Sequence, residues 1–233
     1  MLPWLGREPV FPSPETALAD PNGLLAVGGD LSVWRLLAAY SQGIFPWYSA
    51  GEPILWWSPA PRMVLFPERL RVPRSLDKRL RNSRYEIRVD HVFRAVMQAC
   101  AAPRRGQAGT WIQPEMIDAY CRLHAAGYAH SCETWIDGEL AGGLYGVSIG
   151  GMFFGESMFA RRNDASKLAF VHLVRHLGAN GCGMIDCQMH THHLANFGAA
   201  MIPRAQFLAN LKSLIMEKQP AQLWNYHHCN EPS

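Results

Sequence analysis

The chain has 233 residues, of which 48% are hydrophobic and 18% are charged. This balance excludes a disordered, fibrous or low-complexity protein, and the length predicts one large domain with a small one attached. The sequence has neither an apolar run of about 18 residues nor a basic and then apolar N-terminal segment, so we expect no membrane contact and no secretion signal. A cytoplasmic protein with six reduced cysteines is therefore predicted.

Basic residues are concentrated in one stretch of the chain. Between Arg69 and Arg94, nine Arg or Lys residues accompany three acidic ones, a net charge of +6 in a chain whose total is +3. Such a patch favours contact with a phosphate backbone, although a solvated basic helix would give the same pattern. The candidates for contact with phosphate are Arg71, Arg74, Lys78, Arg79 and Arg81.

Turn-forming pairs dominate the first 60 residues, which predict little regular structure. One helix is expected over residues 33–42, with Ser32 as its N-cap and Gly43 as the residue that ends it. We interpret residues 1–60 as a small N-terminal domain and residues 61–233 as the catalytic domain.

Strand and helix signals alternate after residue 61. Short strands are expected at 63–66 and 85–89, followed by a helix that Asp90 caps and that ends near Cys100. Pro114 lies where the first turn of another helix is expected.

Three alternating runs then predict an antiparallel meander, at residues 131–136, 139–148 and 152–159. A helix over 164–177 and a strand over 184–188 follow it. Three antiparallel strands, a crossover helix and one more strand are the order found in acetyl-CoA-dependent N-acetyltransferases. The fold class predicted is therefore α+β, a GNAT-like acyltransferase fold with a mixed, mostly antiparallel sheet and flanking helices.

In those acetyltransferases a glycine-rich loop before the crossover helix binds the pyrophosphate of coenzyme A. The corresponding segment here, residues 161–167, contains no glycine, so its backbone cannot approach a pyrophosphate as closely. Two Arg and one Lys in the same segment still suit phosphate. We expect an acyl donor other than coenzyme A, and no cofactor.

Eight short motifs occur in order along nearly the whole chain. They are Phe11-Pro12-Ser13-Pro14, Asn22-Gly23-Leu24-Leu25-Ala26, Gly28-Gly29-Asp30-Leu31, Gly43-Ile44-Phe45-Pro46-Trp47, Trp56-Trp57-Ser58-Pro59, Gly109-Thr110-Trp111-Ile112, Gly155-Glu156-Ser157-Met158-Phe159 and Ile185-Asp186-Cys187-Gln188. Together they resemble the leucyl/phenylalanyl-tRNA-protein transferases. The resemblance implies transfer of Leu, Phe or sometimes Met from aminoacyl-tRNA to the α-amine of proteins that begin with Arg or Lys, which marks them for N-end-rule degradation.

The resemblance also implies a catalytic group. Asp186 polarises Gln188, whose amide oxygen receives or orients the proton of the amine, while Glu156 holds the N-terminal region of the acceptor. Alternation along the strand puts Asp186 and Gln188 on one face, where their side chains can hydrogen-bond to each other. The competing interpretations are a buried structural carboxylate at Asp186 and an exposed strand residue at Glu156.

The remaining candidates bind the donor. Four apolar residues are expected to form the pocket for the aminoacyl side chain, although each could equally be ordinary core: Phe153, Met158, Leu144 and Ile185. Trp47 and Trp111 fit stacking on the terminal adenine of tRNA, or packing between the two domains. Since they belong to different domains, the site is expected between them.

Rival classes of protein share parts of this pattern. The run from Cys182 to His193 superficially resembles a zinc cluster, but its spacing is poor and we expect no metal. A coenzyme A-dependent acetyltransferase is a second rival, and a non-catalytic RNA-binding module is a third. A peptidoglycan-type aminoacyl-tRNA-dependent transferase would share both donor and fold.

Overall fold

The computed structural model describes residues 2–103 and 111–231. Gly109 and Thr110, which belong to one of the sequence motifs, lie outside the described residues. No helix within the described residues is long and apolar enough to span a membrane.

The N-terminal residues form a small sheet beside one helix. Its elements are β1 (Trp4–Leu5), β2 (Leu24–Gly28), α1 (Val33–Tyr40), β3 (Phe45–Pro46) and β4 (Leu55–Trp57), with the strand order β1-β2-β4-β3. The expectation of little regular structure was therefore wrong, because strands of two to five residues are too short to give an alternating pattern. Ser32 caps α1 as predicted, accepting a hydrogen bond from the amide of Arg35 at 3.3 Å.

A second, larger sheet carries the rest of the chain. Its strands are β5 (Arg62–Leu65), β6 (Tyr85–Val89), β7 (Ala129–Ile136), β8 (Glu139–Ile149), β9 (Met152–Ala160), β10 (Met184–Gln188), β11 (Ala200–Ile202) and β12 (His227–Asn230). The helices are α2 (Arg74–Asn82), α3 (Phe93–Ala101), α4 (Pro114–Ala125), α5 (Ala165–Ala179), α6 (His192–Asn196) and α7 (Arg204–Leu214). Short 3-10 turns cover Pro14–Thr16 and Pro67–Arg69.

The strand order of the large sheet is β11-β5-β10-β9-β8-β7-β6-β12. Strands β7, β8 and β9 form the predicted antiparallel meander, α5 crosses over, and β10 pairs in parallel with β9. The other neighbouring pairs of the sheet are antiparallel. The predicted α+β class and the predicted order of meander, crossover helix and strand are confirmed.

Asp90 does not cap helix α3, contrary to prediction. The helix begins at Phe93, and the carboxylate of Asp90 instead accepts the amide of Ser131 and Nδ1 of His130, each at 2.7 Å. Its backbone has a positive φ of 56°, and its carboxylate bonds to residues of β7 and not to the helix. The amide of Val92, which precedes the helix, bonds to Glu133 at 2.8 Å.

Apolar side chains pack in two clusters that include different helices. The first joins the N-terminal residues to α3, α4 and α7, and it contains the fully buried Trp56 and Tyr40. The second contains side chains of α2 and α5. The division of the chain near residue 60 stays a prediction, because side chains from both sides of it share the first cluster.

Candidate active site

A large cavity opens where two parallel strands separate. Strands β9 and β10 are paired over Met184 to Asp186, opposite Met152 to Phe154. Beyond these pairs β9 continues to Ala160, whereas β10 shifts register against β5 and ends at Gln188. The cavity has a volume of about 990 Å³ and is lined by both strands on either side of this point. This volume is large enough for a drug-sized ligand.

A carboxylate and an amide meet in the polar wall of this cavity. Nε2 of Gln188 donates to Oε1 of Glu156 at 2.8 Å, and the hydroxyl of Tyr40 donates to the same oxygen at 2.8 Å. The hydroxyl of Tyr120 lies 3.4 Å from Oε2 of Glu156 and also contacts the hydroxyl of Tyr40. Burial raises the pKa of both tyrosines, so they remain protonated donors.

Glu156 has an ionisation suited to proton transfer near neutral pH. Burial raises the pKa of its carboxyl to about 7, the hydrogen bond from Tyr40 opposes this rise, and the charge of Asp186 adds to it. A carboxyl with this pKa exchanges a proton readily at physiological pH. Among the ionisable groups that the structure describes in the cavity wall, Glu156 has both a shifted pKa and a hydrogen bond from Gln188.

The side chains of Asp186 and Gln188 do not hydrogen-bond to each other, contrary to the prediction from strand alternation. The carboxylate of Asp186 is fully buried and receives two hydrogen bonds from Arg62, of 2.8 and 2.6 Å. It accepts the backbone amide of Gln188 at 2.9 Å. The prediction failed because the strand is irregular there: Gln188 has a φ of +62°, at the register shift against β5.

Apolar side chains line the other wall of the cavity. The four predicted pocket residues all lie in it: Leu144, Phe153, Met158 and Ile185. Three residues of α5 complete this wall and were not among the predicted set: Phe170, Leu173 and Val174. Their spacing along the helix could have indicated a shared face, but the same spacing is typical of ordinary core.

Both predicted tryptophans line the cavity as well. Trp47 is 37% exposed and its ring centroid lies 5.5 Å from that of Trp57, whose indole nitrogen donates to the carbonyl oxygen of Trp47. Trp111 is partly buried and packs against the first apolar cluster. The two residues come from either side of residue 60, and the placement of the site between two domains stays a prediction.

Tyr40, Tyr120 and Arg62 were missed by the sequence analysis. A phenol on the apolar face of α1, such as that of Tyr40, needs a buried hydrogen-bond partner, and this was the available signal. Arg62 begins a short strand, where an arginine is ordinarily exposed.

The predicted phosphate-binding residues differ in their contacts. Arg71, Arg74 and Lys78 are exposed and make no ion pair within the described ranges. Arg79 pairs with Asp164 at 3.0 Å, and Arg81 pairs with Asp77 at 2.8 Å. Of the five predicted residues, those without an ion pair among the described residues are therefore Arg74 and Lys78 in α2 and Arg71 just before it.

Potential metal ligands come together in one place within the part of the chain that the structure describes. Asp90, His124 and His130 have ligand atoms within 4.8 Å of one another. Nδ1 of His130 contacts the Asp90 carboxylate and Nδ1 of His124 contacts the carbonyl of Ala129, both at 2.7 Å, so hydrogen bonds account for the grouping. The run from Cys182 to His193 forms no such group among the described residues, and all six cysteines are free.

Comparison with known proteins gives consistent matches. A family model described as leucyl/phenylalanyl-tRNA protein transferase matches residues 64–212, and one described as the N-terminal domain of that transferase matches residues 29–60. The leucyl/phenylalanyl-tRNA–protein transferase of Chromobacterium violaceum is 70% identical over 100% of both chains. Those of Nitrosospira multiformis and Laribacter hongkongensis are 61% and 56% identical, over 98% and 100% of both chains.

A solved structure, a GCN5-related N-acetyltransferase from Kribbella flavida, is also similar. It is 12% identical, with a TM-score of 0.39 over 72% of this chain and 59% of the other. A likeness this slight carries no argument, and the fold class rests on the strand order of the large sheet.

We expect the titration of Glu156 to report its contact with Tyr40. In a Tyr40→Phe variant the carboxylate loses a donor that stabilises its charged form, so its pKa rises above the value of about 7. Carbon-13 NMR of protein labelled at the glutamate carboxyls measures this, with Glu156→Gln to assign the signal. Tyr48→Phe, which removes a hydroxyl bonded to Glu115 instead, serves as the control. An unshifted Glu156 titration in Tyr40→Phe contradicts the network.

Proposed function

Since the chain belongs to the leucyl/phenylalanyl-tRNA protein transferase family and is thus an enzyme that transfers aminoacyl groups from tRNA to proteins, we propose which aminoacyl groups it transfers and which proteins accept them. It transfers Leu, Phe and, less often, Met to the N-terminal α-amine of cytoplasmic proteins that begin with Arg or Lys. The product is marked for degradation by the N-end rule. The observation that carries this proposal is one cavity with an apolar wall on one side and a carboxylate–amide pair on the other.

The aminoacyl side chain occupies the apolar wall. Leu144, Phe153, Met158 and Ile185, together with the α5 residues, offer a lining of aromatic, thioether and aliphatic groups. Such a lining adapts to Leu, Phe and Met, which are all apolar and unbranched at Cβ. It offers no favourable partner to a charged or strongly polar side chain.

The chemistry is aminolysis of an ester. The α-amine attacks the ester carbonyl, a peptide bond forms, and the bond from that carbonyl to the ribose oxygen breaks. Because the ester is already activated, the reaction needs neither ATP nor coenzyme A, and positioning of the two reactants dominates the catalysis.

Glu156 takes the proton of the attacking amine, and Gln188 orients that amine. An α-ammonium has a pKa of about 8, so a useful fraction of the amine is neutral at physiological pH, and the proton that Glu156 takes is the one that the nitrogen loses as it bonds to the ester carbonyl. The amide oxygen of Gln188 is far too weak a base for this role. The proton held by Glu156 then passes to the leaving ribose oxygen, which balances the reaction.

Tryptophan and basic residues bind the RNA. Stacking of the terminal adenine on Trp47 and Trp111 contributes about 1 to 3 kcal/mol per base and is independent of tRNA identity. The five candidate cations within the basic stretch contact tRNA phosphates, with Arg71, Arg74 and Lys78 the more available because they have no ion pair among the described residues. Such contacts add affinity without reading sequence.

The direct test supplies purified protein with labelled Leu-tRNA and a peptide that begins with Arg, without ATP or coenzyme A. We expect the label at the N-terminus of the peptide. The same peptide with an acetylated α-amine is the control and stays unlabelled. Absence of transfer overturns the proposal, equal transfer to a peptide that begins with Glu overturns the acceptor preference, and acetylation from acetyl-CoA points to the rival acetyltransferase.

Replacing Glu156 by Gln removes the proton acceptor while keeping its shape. We expect kcat to fall about 10²- to 10⁴-fold, the usual contribution of general base catalysis. The wild-type rate declines as the pH falls through about 7, where Glu156 becomes protonated, and the variant loses this step but keeps the one due to the amine. A variant with an unchanged pH profile assigns the proton to another group.

The unpaired cations of α2 are tested by salt dependence. An Arg74→Ala/Lys78→Ala variant is expected to raise the KM for Leu-tRNA and to make the plot of log(kcat/KM) against log salt shallower by about 1 to 2. Lys212→Ala/Lys218→Ala removes the same charge from exposed positions outside the basic stretch and is the matched control. If both variants keep the wild-type slope, the exposed face of α2 is a solvated surface.

A further inference from the structure

Arg62 is a buried arginine whose main partner is the carboxylate of Asp186. It lies at the start of β5 with a side chain that is 1% exposed, beside an Asp186 side chain that is 0% exposed. Nε and Nη2 of Arg62 bind the two carboxylate oxygens at 2.8 and 2.6 Å. A bidentate pair of this kind fixes both the position and the plane of the carboxylate.

The guanidinium of Arg62 is itself held by two aromatic rings. Its central carbon lies 4.8 Å from the ring centroid of Phe45, in β3, and 4.7 Å from that of Phe207, in α7. Contacts of a cation with aromatic faces stabilise it in a desolvated site. Arg62 therefore ties strand β10 to the small sheet and to α7 at one point.

A gain in the stability of the fold is by itself a weak explanation for a charged pair at this position. Replacing a buried ion pair by apolar side chains of similar volume is often neutral or stabilising, because both charges must be desolvated. Nη1 of Arg62 is also buried and has no acceptor among the described residues. A role in geometry explains better why a charged pair occupies this position.

That geometry concerns the backbone of Gln188. Oδ1 of Asp186 accepts both Nε of Arg62 and the amide of Gln188, the latter at 2.9 Å. Gln188 has a φ of +62°, in the left-handed region, which costs a residue other than glycine about 1 kcal/mol or more. A fixed acceptor at Asp186 offsets this strain, together with the pairing of Gln188 with Met63 of β5, and it helps to keep the Gln188 side chain on Glu156.

We propose that Arg62 is a positioning residue for aminoacyl transfer: it immobilises the Asp186 carboxylate, which holds Gln188 in the strained conformation that joins its side chain to Glu156. The inference rests on the proposed function for its kinetic readout. It changes the role that the sequence suggested for Asp186, whose two oxygens are both engaged by Arg62. Asp186 acts by fixing the backbone of Gln188, in addition to the rise that its charge adds to the pKa of Glu156.

The first variant is Arg62→Met. A carboxylate stripped of its cation in a buried site turns toward the open cavity to be solvated, and it then releases the amide of Gln188. We expect kcat to fall about 100-fold, while the KM for Leu-tRNA stays within about threefold because the apolar wall and the tryptophans are unchanged.

Arg35→Met is the matched control. Arg35 is also fully buried and pairs with an aspartate, Asp30, but its other bonds go to carbonyl oxygens of residues 6–8, which do not line the cavity. Both substitutions remove a buried guanidinium and are expected to lower the melting temperature. Only Arg62→Met is expected to lower kcat, and an equal loss of kcat in Arg35→Met overturns the positioning role.

A second pair of variants separates charge from geometry. In the Arg62→Met background, Asp186→Asn and Asp186→Leu both remove the buried charge and have similar shapes, but only Asn can accept the amide of Gln188. We expect Asp186→Asn to regain at least tenfold in kcat and Asp186→Leu to regain nothing. Equal rates in the two double variants, with both folded, overturn the inference.

Hydrogen exchange at the Gln188 amide gives a readout that does not depend on transfer. We expect this amide to be protected in the wild type and in Arg62→Met/Asp186→Asn, and to exchange faster in Arg62→Met and in Arg62→Met/Asp186→Leu. If the wild type transfers no leucine yet shows this pattern, the proposed function fails and the positioning of Gln188 stands. If Arg62→Met keeps wild-type kcat and protection, the inference fails alone.

Discussion

Separation of β9 from β10 is the constraint on which the rest of the site depends. The strands are hydrogen-bonded only as far as Asp186 and Phe154, and the cavity is lined by residues on both sides of the point where they part. A continuous sheet would have filled this space with paired backbone and left no room for a ligand. The register shift before Gln188 ends the pairing, and Asp186 bonds to the backbone at that shift.

Because the sheet is open at that point, a ligand reaches side chains from both of its faces. Ile185 belongs to the apolar cluster of α2 and α5, while Asp186 lies near Glu156, which the tyrosines of α1 and α4 contact. Successive residues of one strand thus contribute to an apolar wall and to a polar one. This follows from strand alternation alone, and it places the apolar wall of the cavity next to the carboxyl of Glu156 without any loop between them.

The sequence was informative where structure is regular and where motifs are local. Alternation over 131–159 predicted the meander, and the resemblance selected Glu156, Asp186 and Gln188. It could not predict that Arg62 pairs with Asp186, because 124 residues separate them and no local pattern links the two. The φ of Gln188 could not be predicted from the sequence either. The prediction assumed a regular strand, and side chains alternate between faces only where a strand is regular.

The division of the cavity walls between two packed clusters has a consequence for how such a transferase can diversify. Phe170, Leu173 and Val174 of α5 line one wall, whereas Glu156 in the other wall is held by Tyr40 and Tyr120, which pack in the first cluster. Substitutions at the three α5 residues reshape the second cluster and leave the packing of Tyr40 and Tyr120 in the first cluster in place. Under the proposed roles of the two walls, donor preference and reactivity can drift independently among descendants of one ancestor, and an engineer could recombine walls taken from different homologues.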